Sequence, residues 1–259
     1  MPTIVLNGHP TWVLLPKKSG TPLVLAHGGH SSSDSLLRTI GPRLSRHFPL
    51  AAFDRRGHGR TADTAEPFGY DAMASELIAF LEYLGRPCHV LGRSDGGIAS
   101  LIAAVRRPDL FVRHVVVGSH VHVAAAMPMP PFDVDTPAYE AWAQGFAAAN
   151  PGGLAAAREV FRKTAVLHET EPTLEMGIFA DMTVPTLVMV GDDDVMRLEH
   201  AVELYETLDH GQLCVLPGTS HGLLHEETKL ATRVIRRFLS ATTAPQTRMP
   251  LRRLPQGGA

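Results

Sequence analysis

Short runs of apolar residues alternate with amphipathic stretches along most of the chain. The runs predict strands at residues 23–26, 50–53, 87–91, 112–118, 186–190 and 212–216. The amphipathic stretches predict helices at about residues 35–47, 70–84, 96–107, 197–208 and 222–240. Strands that are separated by helices favour a mostly parallel sheet with helices on both faces. We therefore expect an α/β fold built on a doubly wound sheet.

The start of the chain has a different pattern. Residues 3–15 hold two apolar segments around Asn7-Gly8, a dipeptide that strongly favours a hairpin turn. The two strands of this hairpin bring the expected sheet to about eight strands.

The alternation stops between residues 119 and 184. This stretch is too long for a simple connection, and its prolines, from Met127-Pro128-Met129-Pro130-Pro131 onward, separate Ala-rich segments. We expect a helical cap here, after the sixth sheet strand, and call residues 119–184 the inserted segment. Residues 1–118 and 185–240 then form the core domain. Residues 241–259, which are rich in proline and lack an apolar period, are expected to be a poorly packed tail.

Composition restricts the class of protein. A chain of 259 residues has room for one α/β domain with a sizeable core and is too short for two. Its net charge of −2 argues against nucleic acid or an anionic membrane as partner, because both select a basic face. No run approaches the roughly 18 apolar residues of a membrane helix, and the N-terminus lacks the pattern of a signal peptide. We expect a cytoplasmic protein with a small-molecule substrate, and we leave a homodimer open.

Residues 92–97 carry the most informative chemical signal. Gly92-Arg93-Ser94-Asp95-Gly96-Gly97 lies between a predicted strand and an Ala-rich predicted helix. A serine at the apex of such a turn has an exposed hydroxyl, and glycine is needed where a side chain would collide with the neighbouring helix and strand. An ordinary strand-to-helix turn has a similar composition, so the motif alone is moderately specific. Its position favours Ser94 as a nucleophile.

Further motifs follow other predicted strands, in a telling order. His27-Gly28-Gly29 comes after residues 23–26, Asp192-Asp193-Asp194 after residues 186–190, and His221 after residues 212–216. Ser, then Asp, then His is the order of the catalytic triad in α/β-hydrolases.

Residues 54–61, Asp-Arg-Arg-Gly-His-Gly-Arg-Thr, are also similar to the Asp-x-Arg-Gly-His-Gly-x-Ser loop of that family. From about residue 3 to about residue 240 the chain resembles the α/β-hydrolase superfamily, of the small esterase, lactonase and haloperoxidase-like kind. The resemblance implies the same fold, with an inserted helical cap.

A serine hydroxyl needs a base at neutral pH, and His221 is the candidate. It lies at the carboxyl end of a predicted strand, where open α/β sheets collect their sites. The imidazole in turn needs a carboxylate. The family pattern Gly-x-x-Asp, aligned on Gly191, implies Asp194 and leaves the two preceding aspartates as loop charges or turn-stabilising residues. Some relatives carry the acid after the sixth strand, where this chain has Gly118-Ser119-His120 and no carboxylate.

The oxyanion of an acyl transfer needs two backbone N–H donors. One is expected from Asp95, which follows the nucleophile at the N-terminus of the helix. The resemblance implies the second from Gly29, with His30 one residue away as the alternative. The Asp95 side chain has two interpretations: it contacts a cationic part of a substrate, or it caps the helix.

Candidates for substrate contact lie beside these motifs or lead into the inserted segment; they are His30, Arg93, His120 and Met127. His120 and His122 have strand spacing, but a metal site needs a third ligand, so we expect no metal and no cofactor. Residues 57–62 superficially match a dinucleotide fingerprint, yet a predicted loop follows them where a helix is required. Cys88 and Cys214 fall in strand patterns and are expected to be buried free thiols.

Together the motifs predict a cofactor-independent serine hydrolase that cleaves a small, largely apolar carboxylic ester or lactone through an acyl-enzyme. The apolar pocket is expected because the inserted segment is rich in Ala, Met and Pro and has few charges. Thioester hydrolysis and perhydrolysis would use the same groups. The alternatives are a lyase or cyclase on the same scaffold and a non-enzymatic ligand-binding relative. Epoxide hydrolases and haloalkane dehalogenases are disfavoured, because those relatives have aspartate where this chain has Ser94.

Overall fold

The computed structural model describes residues 3–128, 136–243, 245 and 247–249. Residues 129–131 of the expected proline-rich opening, and most of the expected tail, lie outside these residues. Within the described part the chain forms eight strands, nine α-helices and three short 3-10 helices.

One mostly parallel sheet forms the centre of the molecule. Its strands are β1 (Thr3–Leu6), β2 (His9–Leu14), β3 (Leu23–Ala26), β4 (Leu50–Phe53), β5 (Cys88–Arg93), β6 (Phe111–Val117), β7 (Thr186–Asp193) and β8 (Gly211–Ser220). They lie in the order β1-β2-β4-β3-β5-β6-β7-β8. Only the β1–β2 and β2–β4 pairs are antiparallel among these strands. The eight-stranded, mostly parallel sheet predicted from the sequence is confirmed.

Helices cover both faces of this sheet. They are α1 (Ser33–Thr39), α2 (Gly41–Leu44), α3 (Tyr70–Leu84), α4 (Asp95–Arg106), α5 (Pro137–Ala147), α6 (Gly153–Thr170), α7 (Leu198–Thr207), α8 (Leu223–Glu226) and α9 (Thr228–Leu239). One buried apolar cluster joins the sheet to α3, α4 and α7. A second cluster joins its other face to α1, α2, α8 and α9. The sheet is therefore doubly wound.

The hairpin turn lies where the sequence predicts it. Asn7 and Gly8 have φ angles of 48° and 77°. Two successive residues with positive φ suit the turn that joins antiparallel strands with the usual twist, and asparagine and glycine adopt this conformation most readily.

Several boundaries differ from the prediction, and the helix expected at residues 222–240 is divided into α8 and α9 at Glu227. The helix expected at residues 35–47 is divided into α1 and α2 at Ile40, because Pro42 lacks the N–H that a continuous helix would use. β7 and β8 run beyond their predicted ends, since the two strands pair as far as Asp193 and Ser220. The polar residues of these extensions carry no hydrophobic signal.

The inserted segment leaves the sheet after β6 and returns at β7, its neighbour in the sheet. Its helices α5 and α6 share an apolar cluster that also contacts Phe68 of the core. Asn150 Nδ2 donates to the carbonyl of Gly57 over 2.8 Å, and Lys163 Nζ lies 2.8 Å from Asp63 Oδ2. These contacts hold α6 against the loop that follows β4. The division of the chain into a core domain and a separate cap stays a prediction.

Candidate active site

Ser94 lies at the turn between β5 and α4 in a strained backbone conformation. Its φ and ψ are 53° and −126°, a region that non-glycine residues rarely adopt. The turn is tight because Gly92 and Gly96 leave no room for a side chain: a methyl group on Gly96 would overlap the carbonyls of Ala26 and His27. The first helical turn of α4 closes over 2.7 Å between Gly97 N and Ser94 O. The backbone thus presents Ser94 at the carboxyl edge of the sheet.

His221 and Asp194 form a hydrogen-bonded pair at the ends of β8 and β7. Nδ1 of His221 lies 2.7 Å from Oδ1 of Asp194, whose side chain is only 2% exposed. A carboxylate accepts and does not donate, so Nδ1 carries the proton and Nε2 keeps its lone pair. Burial alone would raise the pKa of Asp194, but the hydrogen bond and charge of His221, together with backbone N–H donors, lower it below its ordinary value. The carboxylate therefore stays ionised beside the imidazole.

The end of β6 brings the serine and the His–Asp pair together. Ser94 N donates to the carbonyl of Val117 over 2.8 Å. A methyl group on the next residue, Gly118, would lie 2.9 Å from His221 Nδ1. The described hydrogen bonds do not include one between Ser94 and His221, and in unliganded enzymes such bonds are often long and tighten on substrate binding.

The other aspartates of the run have different contacts. Oδ1 of Asp192 accepts from Thr219 N over 3.1 Å, and the N–H groups of Gly218 and Thr219 lower its pKa. Asp192 therefore stabilises the end of β8 just before His221. This is one of the two roles that the sequence analysis allowed for it. Among the described contacts of the three aspartates, only Asp194 bonds to His221.

The loop after β3 lies against the serine turn. A methyl group on Gly28 would lie 3.1 Å from Ser94 Cβ. His27 Nε2 accepts from Arg55 N over 3.1 Å, which leaves His27 Nδ1 to donate to the carbonyl of Gly28 over 2.8 Å. His27 is fully buried, and its hydrogen bonds join the loop after β3 to the loop after β4. Gly29 lies against the side-chain carboxylate of Asp95.

The loop after β4 is held by a buried carboxylate. Asp54 accepts from Ser33 N over 3.0 Å, from Ser33 Oγ over 2.6 Å and from Arg60 N over 2.9 Å. The next helix begins only at Tyr70. The loop is therefore not followed directly by the helix that a dinucleotide fingerprint requires, as predicted from the sequence. The loop carries Arg55, which is 1% exposed, beneath the serine turn.

The side chain of Asp95 is buried in a polar cluster. Its Oδ1 accepts from Tyr70 Oη over 3.1 Å and lies 2.9 Å from Nε2 of His168. Its Oδ2 lies 3.6 Å from Arg55 Nη2. These contacts replace the helix cap considered from the sequence, since the carboxylate bonds to groups from α3 and α6. Burial alone would raise the pKa of Asp95, but these cationic and donor groups hold it well below its ordinary range.

The inserted segment contributes histidine and aromatic rings near this cluster. His30 packs 4.4 Å from the ring of Phe161 and 4.8 Å from that of Trp142, between ring centroids. His168 lies 5.9 Å from His30. The surroundings are therefore mixed polar and aromatic, where the sequence led us to expect an apolar pocket.

The four candidates for substrate contact occupy different places. His30 lies at the aromatic wall just described. Arg93 Nη2 donates to the carbonyl of His221 over 3.0 Å. His120 is partly buried, and the charges of His168, Asp95 and His221 act on it. Met127 is 45% exposed, and its N–H donates to the carbonyl of Val195, next to Asp194. Their role in substrate contact stays a prediction.

Three residues of the site were not singled out from the sequence: Arg55, Tyr70 and His168. Arg55 belongs to the loop that resembles a family motif, but nothing in that pattern connects it to Asp95. Tyr70 begins α3, and His168 is 73 positions from Asp95. Only the packing of α6 on the core brings them together.

The described residues hold neither a metal-binding cluster nor a membrane-spanning helix. Among them, no group of three or more His, Cys, Asp or Glu side chains is arranged to hold a metal ion. No helix in the described part has the length and apolar character to span a membrane. Cys88 is buried and Cys214 partly buried, and both are free thiols. A cytoplasmic location and a homodimer stay predictions.

Comparisons with known proteins agree with this architecture. The sequence model of the alpha/beta hydrolase family matches residues 23–233. The 2-hydroxy-6-oxo-6-(2'-aminophenyl)hexa-2,4-dienoic acid hydrolase of Metapseudomonas resinovorans is 25% identical, over 85% of this chain and 84% of that protein. The non-heme chloroperoxidase of Burkholderia pyrrocinia is 26% identical, over 80% of this chain and 87% of that protein.

A solved structure gives the same fold. The enol-lactonase from Burkholderia xenovorans LB400 superposes with a TM-score of 0.74 and 19% sequence identity, over 93% of this chain and all of that one. At this identity the similarity concerns the fold alone. The three similar proteins carry different activities in their names, so they leave the substrate of this chain open.

Proposed function

This chain belongs to the alpha/beta hydrolase family, and on that premise we propose that it is a serine hydrolase of a small carboxylic ester or lactone. Its relatives are hydrolases, which supports an enzyme with a hydrolytic role. In the proposal Ser94 is the nucleophile, His221 the general base and Asp194 the group that orients the imidazole. No cofactor takes part in the proposed reaction.

In the acylation step His221 Nε2 takes the proton of Ser94 Oγ as this oxygen attacks the carbonyl carbon. The tetrahedral oxyanion binds the N–H groups of Asp95 and Gly29, with that of His30 as the alternative to Gly29. Collapse of the intermediate breaks the ester bond, and His221 returns the proton to the leaving alkoxide. Water, activated by the same nitrogen, then attacks the acyl-enzyme and releases the acid and Ser94.

One observation carries the proposal. Ser94 and the His221–Asp194 pair flank a single peptide, because Val117 accepts from Ser94 N and Gly118 lies against His221. A serine on a strained turn, a histidine with a free Nε2 and a buried carboxylate on its Nδ1 form the arrangement that acyl transfer needs.

The substrate class follows from the surroundings of Ser94. Trp142, which is 45% exposed, offers aromatic surface, whereas His30 and His168 offer polar groups. We therefore propose a small ester or lactone with both an apolar part and a polar group, in place of a purely apolar one.

The experiment that tests the proposal follows nitrophenolate release from acyl esters of graded chain length. Wild type is compared with Ser94→Ala, and with Ser240→Ala as a control, because Ser240 is exposed at the end of α9. We expect Ser94→Ala to lose activity by a factor on the order of a thousand or more. A fluorophosphonate should label wild type and fail to label Ser94→Ala.

Two results would contradict this function. Ester turnover that persists in Ser94→Ala would remove the serine from the mechanism. Labelling of Ser94 without turnover of any ester or lactone would favour a lyase or cyclase that uses the same groups for acid–base chemistry.

Perhydrolysis is a second candidate, favoured by the similarity to a non-heme chloroperoxidase. In this reaction hydrogen peroxide replaces water as the nucleophile that attacks the acyl-enzyme, and the product is a peracid. Oxidation of bromide in the presence of acetate and peroxide reports the peracid. Ser94→Ala should abolish this signal as well, because both reactions pass through the same acyl-enzyme.

A further inference from the structure

The residue after the nucleophile carries two groups with opposite effects on an oxyanion. The N–H of Asp95 is a proposed oxyanion donor, whereas its carboxylate is a buried negative charge. The carboxylate is 2% exposed and therefore little screened by water. An anion that forms beside it is destabilised unless other groups balance this charge.

Among the described residues, two basic side chains contact that carboxylate. Arg55 Nη2 lies 3.6 Å from Oδ2, and His168 Nε2 lies 2.9 Å from Oδ1. Arg55 is charged at every relevant pH and can offset one negative charge. When His168 is protonated, the cluster has a net positive charge next to the proposed oxyanion position.

His168 also differs from the other histidines around Ser94. Burial lowers the pKa values of His30 and His120 to about 4, so both rings are neutral at neutral pH. Burial alone would lower the pKa of His168 too, but the charge and hydrogen bond of Asp95 raise it above its ordinary value. The His168 side chain is 42% exposed, so protons reach it from solvent.

We propose that His168 of the inserted segment is a positioning residue for the reaction: it fixes the Asp95 carboxylate and, while protonated, balances its charge beside the oxyanion. This inference rests on the serine hydrolase function proposed above. His168 acts through Asp95 and touches no reacting atom. The ion pair between His168 and Asp95 thereby couples the packing of α6 on the core to the reactivity of Ser94.

The pH dependence has a definite sign. The groups that face His168 are Asp95 from α4, Tyr70 from α3, Arg55 from the loop after β4, and His30 and His120 from the loops after β3 and β6. Because the pKa of His168 is raised in the folded enzyme, its charge is present below about pH 6.5 and is lost as the pH rises through the raised value. Activity per active site should fall on this alkaline side.

The test measures kcat/KM for a nitrophenyl ester from about pH 6 to about pH 9, across the range in which a raised histidine titrates. Absorbance is read at the isosbestic wavelength of nitrophenol, so that detection does not change with pH. We expect His168→Gln, which keeps a donor for Asp95 but has no charge, to lose about tenfold below neutral pH and to lack the alkaline fall. His210→Gln is the matched control, because His210 pairs with Asp209 far from Ser94.

A double-mutant cycle distinguishes balance of charge from direct contact with substrate. Asp95→Asn keeps the backbone N–H and removes the charge, so His168→Gln should cost nothing further in that background. An equal loss in both backgrounds would overturn the proposal. So would a loss that is the same at every pH, which is the result of a purely structural role.

A measurement without activity separates this inference from the proposed function. The Cε1–H signal of His168, followed by NMR, should titrate above the ordinary histidine value in wild type and fall in Asp95→Asn. If the signal behaves so while Ser94→Ala keeps full activity, the ion pair stands and the serine mechanism fails. If Ser94→Ala is inactive but His168 titrates alike in both backgrounds, the inference fails and the serine mechanism stands.

Discussion

Two aspartates at the end of β7 have different hydrogen-bond partners at the scale of single residues. Asp194 bonds to the imidazole of His221, whereas Asp192 bonds to the backbone of Thr219. Their separation by a single residue gives a matched pair for mutation.

We expect Asp194→Asn to lower kcat by a factor on the order of a thousand or more, because an amide no longer enforces the tautomer with a free Nε2. Asp192→Asn keeps an oxygen that accepts from Thr219, so kcat should stay within about twofold. Steady-state kinetics on one ester gives both numbers. Similar losses in the two variants would mean that the loop, and not the His221–Asp194 bond, governs activity.

The sequence identifies the members of the proposed triad because each follows a strand in a recognisable motif. It does not predict the contacts of Asp95, because Tyr70, Arg55 and His168 come from three distant parts of the chain. Their effect depends on how α6 packs on the core, and no local pattern of residues encodes that packing.

Helix α6 and the loop after β4 are joined, at the scale of elements, by buried polar contacts. Asn150, which is 7% exposed, bridges Gly57 O and Gly152 N. Such a bridge gives both of these backbone groups a hydrogen-bond partner.

Asn150→Ala should lower the free energy of unfolding by about 1 to 3 kcal/mol, since the carbonyl of Gly57 then stays buried without a donor. Gln144→Ala, on the exposed side of α5, should change it by less than about 0.5 kcal/mol. Chemical denaturation of both variants tests the difference. Equal effects would show that the contact with Gly57 is not a stabilising bridge.

Hydrophobic periodicity predicts the elements whose faces are buried and misses those fixed by local backbone chemistry. Helix α3 spans Tyr70–Leu84, the range that its amphipathic pattern predicts. The break at Ile40 and the polar extensions of β7 and β8 have no periodic signal. These extensions nevertheless carry Asp194 and His221 to the same edge.

At the scale of the whole molecule, several histidines have pKa values that burial lowers. Burial lowers the pKa of His27 and His114 to about 3, and that of His30, His89 and His120 to about 4. The unfolded chain binds protons at these sites below about pH 6.5, whereas the folded chain does not.

Stability should therefore fall as the pH decreases from about 6.5 to about 4.5, by at most about 1.4 kcal/mol per histidine and pH unit. Urea unfolding at a series of pH values measures this slope. His114→Gln keeps a partner for Ser100 and removes one titrating group. The change in its free energy of unfolding per pH unit should therefore be smaller by the contribution of one histidine. A free energy of unfolding that is constant over this range would contradict the prediction.

The adjacency of β6 and β7 has a consequence for how such a protein diversifies. Because the inserted segment starts and ends on neighbouring strands, its exchange for another sequence leaves the order of the sheet intact. Ser94, Asp194 and His221 all lie outside it, so such an exchange would leave the proposed triad in place. His168 ties this segment to Ser94 through Asp95, so a graft without a histidine at that place would give an enzyme that lacks the alkaline fall in rate proposed above.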